Sequence, residues 1–351
     1  DQCLSVFEEE TGVKYTRESL RKAADEGTIE DKLAIRNAWI QHNRNTHEKL
    51  FRLIERTVHA VHPDLPLGFM SGNRIYEGYD FDIWADILAG PDQVPVLWRP
   101  GGGFYNDNIT SELSRKAHDI GQQVSLLPEN VRSIQSEIEN FPWERLKKAE
   151  NIVVLEACEY IAAGCTGVAY NVLSQYDEPL TEYKSLIEKL QEARPFMDLL
   201  VKTFGRSPNI GIATFWNKNS FSTGNISSGS WFGAGNPVVR HELYDLGLPA
   251  AYLPEHAEVI FLSNETAYAM SDEDIRKILS GGVYMDALSL DILNKRGYGH
   301  LTGFALNGSK AEDCIEEFVS HPLNTSFAGC ERNIRQSFYN IPAYFLQKTK
   351  D

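Results

Sequence analysis

Three observations predict an α/β fold. Short apolar runs that read as strands alternate with longer segments of helical spacing, turn residues separate the two, and the crossovers between successive strands are of helical length. A crossover that long returns the chain to a parallel neighbour. Four such strand and helix units follow one another within residues 67–204. Four units are half of a (β/α)8 TIM barrel, and an isolated half would leave two apolar strand edges exposed. Either an upstream half supplies the remaining strands, or the sheet is open and doubly wound.

The elements follow in order. Leu4 and Phe7 start a helical pattern at once, as if the chain, which opens Asp1-Gln2-Cys3 without Met, were already inside a domain; an upstream piece is expected. Residues 28–62 carry Ile35, Ala38, Trp39, Leu50, Leu53, Ile54, Val58 and Val61 at mostly helical spacing, and His62-Pro63 stops them. A buried strand is expected over 67–70 and a helix over 81–88, closed by Gly90. A second strand over 94–98 runs into Arg99-Pro100-Gly101-Gly102-Gly103, and a helix spans about 110–124. Then come a strand over 131–139, a helix over 144–163, a strand over 166–173 and a helix over 181–204. Beyond Gly205 strands at 210–215, 258–262 and 283–285 and helices at 272–279 and 288–295 make a second α/β domain. Residues 306–351 form a mixed C-terminal extension with β character.

Composition narrows the function. A net charge of −15 and a pI near 5.1 disfavour nucleic acid and anionic membrane surfaces and favour a neutral or cationic small molecule. No apolar run approaches the roughly 20 residues of a membrane helix, and no basic-then-apolar leader opens the chain. Five cysteines without a CxxC pair argue against a disulfide framework or a self-contained zinc site; neither a metal nor a cofactor is expected. The glycine runs 101–103 and 281–282 lack the Lys-Ser/Thr of a phosphate loop and the dinucleotide GxGxxG, and they read as turns. Periplasmic, secreted and cytoplasmic locations all stay open.

The strand at 131–139 holds the candidate chemistry. Alternation places Ser133, Gln135, Glu137 and Glu139 on one face and Ile134 and Ile138 on the other, and Pro142 follows the strand. A retaining glycosidase needs a carboxylate nucleophile and a second carboxyl about 5–5.5 Å away that protonates the leaving oxygen. Glu137 and Glu139 reach the same side of a sugar, so one nucleophile is expected here and the acid from another strand. The same spacing also fits solvated acids on a half-exposed strand. Asn73, Arg74, Trp98 and Arg99 lie past two other strand ends, Tyr170 and Asn171 end the last strand, and Trp143 follows Pro142; together these could ring one mouth and bind sugar hydroxyls and faces.

The segment Glu139-Asn140-Phe141-Pro142-Trp143 resembles the Glu-x-x-Pro element after the seventh barrel strand in β-galactosidases of glycoside hydrolase family 42 and, more distantly, family 35. The resemblance implies Glu139 as nucleophile, with Glu137 taking the role if the register shifts. Val259–Ser263, Ala269–Ile275, Leu279–Ala287 and Leu293–Tyr298 resemble the flavodoxin-like, class I glutamine-amidotransferase-like domain that accompanies such barrels, where it is catalytically silent and serves subunit assembly. The turn Asp286-Ala287-Leu288 lacks the cysteine an active amidotransferase needs.

What the resemblance implies is a C-terminal half-barrel, strands five to eight, over 1–204, an amidotransferase-like domain over 205–305, and an extension over 306–351. The implied activity is double-displacement hydrolysis of a β-glycoside, an oligo- or polysaccharide, by a homo-oligomer whose missing N-terminal half carries the acid/base residue. The alternative is a non-catalytic carbohydrate-binding or assembly protein on the same scaffold.

Overall fold

Capping residues set where the N-terminal helices begin. Helix α1 (Gln2–Thr11) precedes α2 (Arg17–Asp25) and the long α3 (Ile29–His59). The Thr16 hydroxyl accepts the Ser19 N–H while the Ser19 hydroxyl accepts the Thr16 N–H, and Thr28 with Asp31 repeats the exchange one helix later. Such caps are worth about 1 kcal/mol each. The computed structural model describes residues 2–234, 246–310, 315–333 and 343–349. They divide into two compact units, residues 1–261 and 262–351.

In the first unit β1 (Gly68–Met70), β2 (Val96–Arg99), β3 (Val131–Glu139) and β4 (Gly167–Asn171) pair in that order, all parallel. Helices α4 (Phe81–Ala89), α5 (Ser111–Ser125) and α6 (Glu150–Ala162) connect them, and α7 (Lys184–Phe204) follows β4. This is the arrangement of part of a TIM-like barrel. Along β3, Ile134, Ser136 and Ile138 are buried, whereas Gln135 is exposed and Glu137 and Glu139 are half-buried. The buried side joins Trp98, Ile120, Ala157, Tyr160 and Ile161 in one core. Phe69 and Phe81 meet Trp98 edge-on with ring centroids 4.7 and 4.6 Å away. Full burial of such side chains contributes about 1.5–3 kcal/mol each, so this layer holds the sheet to its helices.

Several boundaries differ from expectation for local reasons. The strand expected from 94 begins at Val96, just past Pro95, which has no N–H to give to a ladder. The helix expected from 144 begins at Glu150, because residues 144–149 turn Lys148 into the interior. The helix expected from 181 opens with a tight turn, Leu180–Tyr183, before α7. Helix α2 was not anticipated.

Of the rest of the first unit, residues 220–224 and Trp231 pack on α2 and α3. β5 (Gly211–Thr214) and β6 (Ala257–Leu262) pair in parallel. Arg36, fully buried on α3, donates to the carbonyls of Ala24 (2.8 Å), Ser222 (2.9 Å) and Gly224 (2.8 Å), and its guanidinium lies 3.7 Å from Asp25 and over the Trp231 ring. Gly121 on α5 leaves room for the Tyr252 ring, since a Cβ there would sit 2.2 Å from it.

The second unit holds α8 (Asp272–Leu279), β7 (Gly282–Met285), α9 (Ala287–Lys295), α10 (Gly299–Thr302) and two antiparallel pairs, β8 (Phe304–Lys310) with β11 (Ala343–Lys348) and β9 (Ile315–Glu317) with β10 (Glu331–Asn333). Asp286, at the turn after β7, accepts the Ser289 N–H (2.8 Å) and the Asn264 N–H (2.6 Å), so it caps α9. Among the described residues no helix is long and apolar enough to cross a membrane.

Arg36→Met removes the donor of three carbonyls and the partner of Asp25 at once. It is expected to cost about 3–5 kcal/mol, read as a lower denaturant midpoint at unchanged slope.

Candidate active site

The C-terminal ends of β2, β3 and β4 bring the site together. Arg99, last residue of β2, makes a hydrogen-bonded ion pair with Glu137 on β3. Two residues further on, Glu139 ends the strand opposite its register partner Asn171, last residue of β4. Glu139 Oε1 accepts from Asn171 Nδ2 (3.1 Å) and from the Trp143 indole N–H (3.0 Å). Among the described residues Oε2 accepts no hydrogen bond. Trp143 reaches back because its backbone takes the left-handed φ of 65°, uncommon for so bulky a residue.

An aromatic edge lies beside the carboxylates. The Phe141 ring stands 5.0 Å from Trp143 and 5.7 Å from Tyr105, which follows the glycine loop after β2. Burial, and then the negative charge of Glu139 and Glu137, push the Tyr105 phenol above its ordinary value, so it keeps its proton at neutral pH. Gly102 brings that loop against β3: a Cβ there would lie 2.6 Å from the Glu137 carbonyl and 2.9 Å from the Tyr160 hydroxyl. The run 101–103 is thus a turn made for close approach.

Beneath the site runs a buried ionic network. Lys148 and Glu156 both have fully buried side chains, with Nζ 2.5 Å from Glu156 Oε2. The same ammonium donates to the carbonyls of Phe104 (2.6 Å) and Glu139 (2.8 Å), and the Tyr160 hydroxyl donates to the other Glu156 oxygen (3.0 Å). Burial raises Glu156 to about 7 despite the pull of Lys148, and burial lowers Lys148. Both shifts have one cause, the cost of charge away from water. Lys148 therefore ties the loop after β2 to the end of β3 directly behind Glu139.

Of the residues expected at one mouth, Glu137, Glu139, Arg99, Asn171 and Trp143 do converge. Asn73 and Arg74 form a neighbouring group: the Tyr76 hydroxyl donates to Asn73 Oδ1 (2.8 Å), the Arg74 guanidinium lies 5.3 Å from the Tyr76 ring, and Asn73 abuts Gly103. Trp98 and Tyr170 do not belong to the site. Each sits one position off its site-facing neighbour, so alternation turns it to the helix side. Trp98 is 2 % exposed and donates its indole N–H to Ser71 (3.2 Å). Tyr170 lines a groove of about 550 Å³ between β4 and α7, with Met197 and Arg194.

Tyr105, Phe141, Lys148, Glu156 and Tyr160 were not expected in or beneath the site. An aromatic just past a glycine run at a strand's end was the available signal for Tyr105; Lys148 lies in irregular chain and pairs with a carboxylate inside the following helix, which left none. Among the described residues no group of three His, Cys, Asp or Glu side chains is placed to hold a metal ion.

No family profile matches the sequence, and no curated protein matches it. Among solved structures, the chain is similar to a catalytic mutant of Gan42B, a GH42 β-galactosidase from G. stearothermophilus, with a TM-score of 0.50 over 91 % of this chain at 13 % identity. The match takes in 49 % of that protein's chain, so this chain spans about half its length. At this identity the likeness concerns the fold alone.

Lys148→Met strands a buried carboxyl and is expected to cost about 3–5 kcal/mol, whereas the double change Lys148→Met with Glu156→Leu recovers much of that loss. Denaturant titration of the two single variants and the double variant, treated as a cycle, measures the coupling.

Proposed function

We propose that the chain is part of a retaining glycoside hydrolase of the β-galactosidase type, with Glu139 as its nucleophile. The observation that carries this reading is the Glu139 carboxylate, standing at the C-terminal end of a parallel strand with one oxygen held by Asn171 and Trp143. Such ends are where barrel enzymes place their catalytic groups. Fixing one oxygen orients the other for attack without a cost in side-chain entropy at the moment of reaction.

In the proposed reaction Glu139 Oε2 attacks the anomeric carbon and forms a glycosyl ester as the bond to the leaving oxygen breaks. An acid from outside this chain protonates that oxygen. The same group, now a base, takes a proton from water, which attacks the anomeric carbon and frees Glu139. Glu137 is the weaker nucleophile candidate, since Arg99 already engages its carboxylate. Tyr105, Phe141 and Trp143 offer ring faces and edges on which the apolar side of a pyranose packs. Residues 205–305 are read as an amidotransferase-like companion used in homo-oligomer assembly. In that reading the capping role of Asp286 replaces any nucleophile at the strand-to-helix turn.

The test uses a protein with the complete barrel and an aryl β-galactoside. Glu139→Gln is expected to lower kcat on the order of 10³-fold or more, and a 2-deoxy-2-fluoro galactoside is expected to leave its sugar on the peptide containing Glu139. Sugar on Glu137, with Glu137→Gln inactive, moves the nucleophile by two residues. Sugar binding without turnover in the wild-type protein would favour the carbohydrate-binding alternative and refute the hydrolase reading.

A further inference from the structure

A second constellation of reactive groups lies on the N-terminal helices. Cys3, in the first turn of α1, places Sγ 3.2 Å from His42 Nε2 on α3. On the other edge of that ring Nδ1 lies 2.6 Å from Glu10 Oε2. The second Glu10 oxygen accepts from Asn45 Nδ2 (3.1 Å) and lies 3.7 Å from the Lys49 ammonium. The imidazole is 2 % exposed, set between Trp39 (5.1 Å) and Phe7 (5.4 Å), so its orientation is fixed by packing. Burial works to raise the Glu10 carboxyl, but the bonds from Asn45 and His42 together with nearby positive charge outweigh it and hold the pKa below the ordinary value.

An ionised Glu10 fixes the tautomer. Its oxygen accepts a hydrogen bond from the ring's Nδ1–H, which leaves the Nε2 lone pair facing the thiol. Thiol and carboxylate lie on opposite edges of the ring, so the three groups do not converge on a point where a metal could sit. They form a line: nucleophile, base, orienting carboxylate. Acyl transfer would also need donors for an oxyanion. Displacement at sulfur develops no oxyanion, and an accessible thiol with a base beside it suffices. Cys3 is exposed, as is Cys330, whereas Cys158 is half-buried and Cys165 is buried with its thiol pushed up to about 12.

We infer that Cys3, His42 and Glu10 form a thiol–disulfide exchange site, separate from the carboxylate pair, whose substrates are low-molecular-weight disulfides. The Cys3 proton passes to His42 Nε2 as the sulfur attacks one sulfur of the disulfide. The S–S bond breaks, its electron pair stays on the departing sulfur, and that sulfur takes the proton from the imidazolium. The products are a mixed disulfide on Cys3 and one small thiol, and no other oxidant is required.

The test treats the whole chain with glutathione disulfide at neutral pH and follows each cysteine by peptide mass spectrometry, with Cys330 as an exposed thiol that has no such partner among the described residues. Cys3 is expected to react about tenfold faster than Cys330 or more. Glu10→Gln presents an amide that can donate to Nδ1, which turns the Nε2 proton toward the thiol. It is expected to bring the Cys3 rate down to that of Cys330 while leaving the Cys330 rate and the circular dichroism unchanged. Glu10 is 23 % exposed, so its amide can be accommodated without breaking the core. Equal rates at Cys3 and Cys330 in the wild-type protein, or a Cys3 rate indifferent to Glu10→Gln, would overturn the inference.

Discussion

The two-residue period of one strand governs both the packing and the chemistry of the first unit. β3 is the central partner of β2 and β4, and its odd and even positions do different work. Ile134 and Ile138 dock the sheet on α5 and α6, while Glu137 and Glu139 emerge on the opposite face at the strand's end. A slip of one residue would bury both carboxylates and expose both isoleucines. The oily layer therefore fixes the register that presents the acids.

That governing pattern was legible in the sequence because it is local. Four parallel strands joined by helices could be read from period and length, and so could the face shared by Glu137 and Glu139. The same rule, applied to neighbours one position away, shows why Trp98 and Tyr170 belong to the other side: strand ends gather residues along the chain, but alternation sorts them. What lay beyond reach depends on distant partners. The start of α6 at Glu150 follows from the inward turn of Lys148, whose partners are carbonyls at 104 and 139 and a carboxylate on the next helix. Hydrogen-bond accounting of that kind needs a fold before it can be done.

The buried ion pair under the site illustrates the cost of such an arrangement. Two charges removed from water gain little net stability over oily replacements, and both Lys148 and Glu156 are pushed toward neutrality by burial. Its distinctive property is geometry. An ammonium with three directional donors can join two main-chain carbonyls and one carboxylate, a pattern no methyl group can copy. The aromatic residue beside the carboxylates and the carboxylate held by Asn171 thus share one anchor.

A shared anchor has a consequence for how the protein could change over generations. The stretch after β2, which carries Tyr105, and the stretch after β3, which carries Trp143, hang from the same nitrogen through Phe104 and Glu139. Neither can drift alone without dragging its companion, so mutational reshaping of the aromatic rim is mechanically linked to the aim of the acid. The pair formed by Asn73 and Tyr76 hangs from neither of those carbonyls, so changes there leave the tether in place.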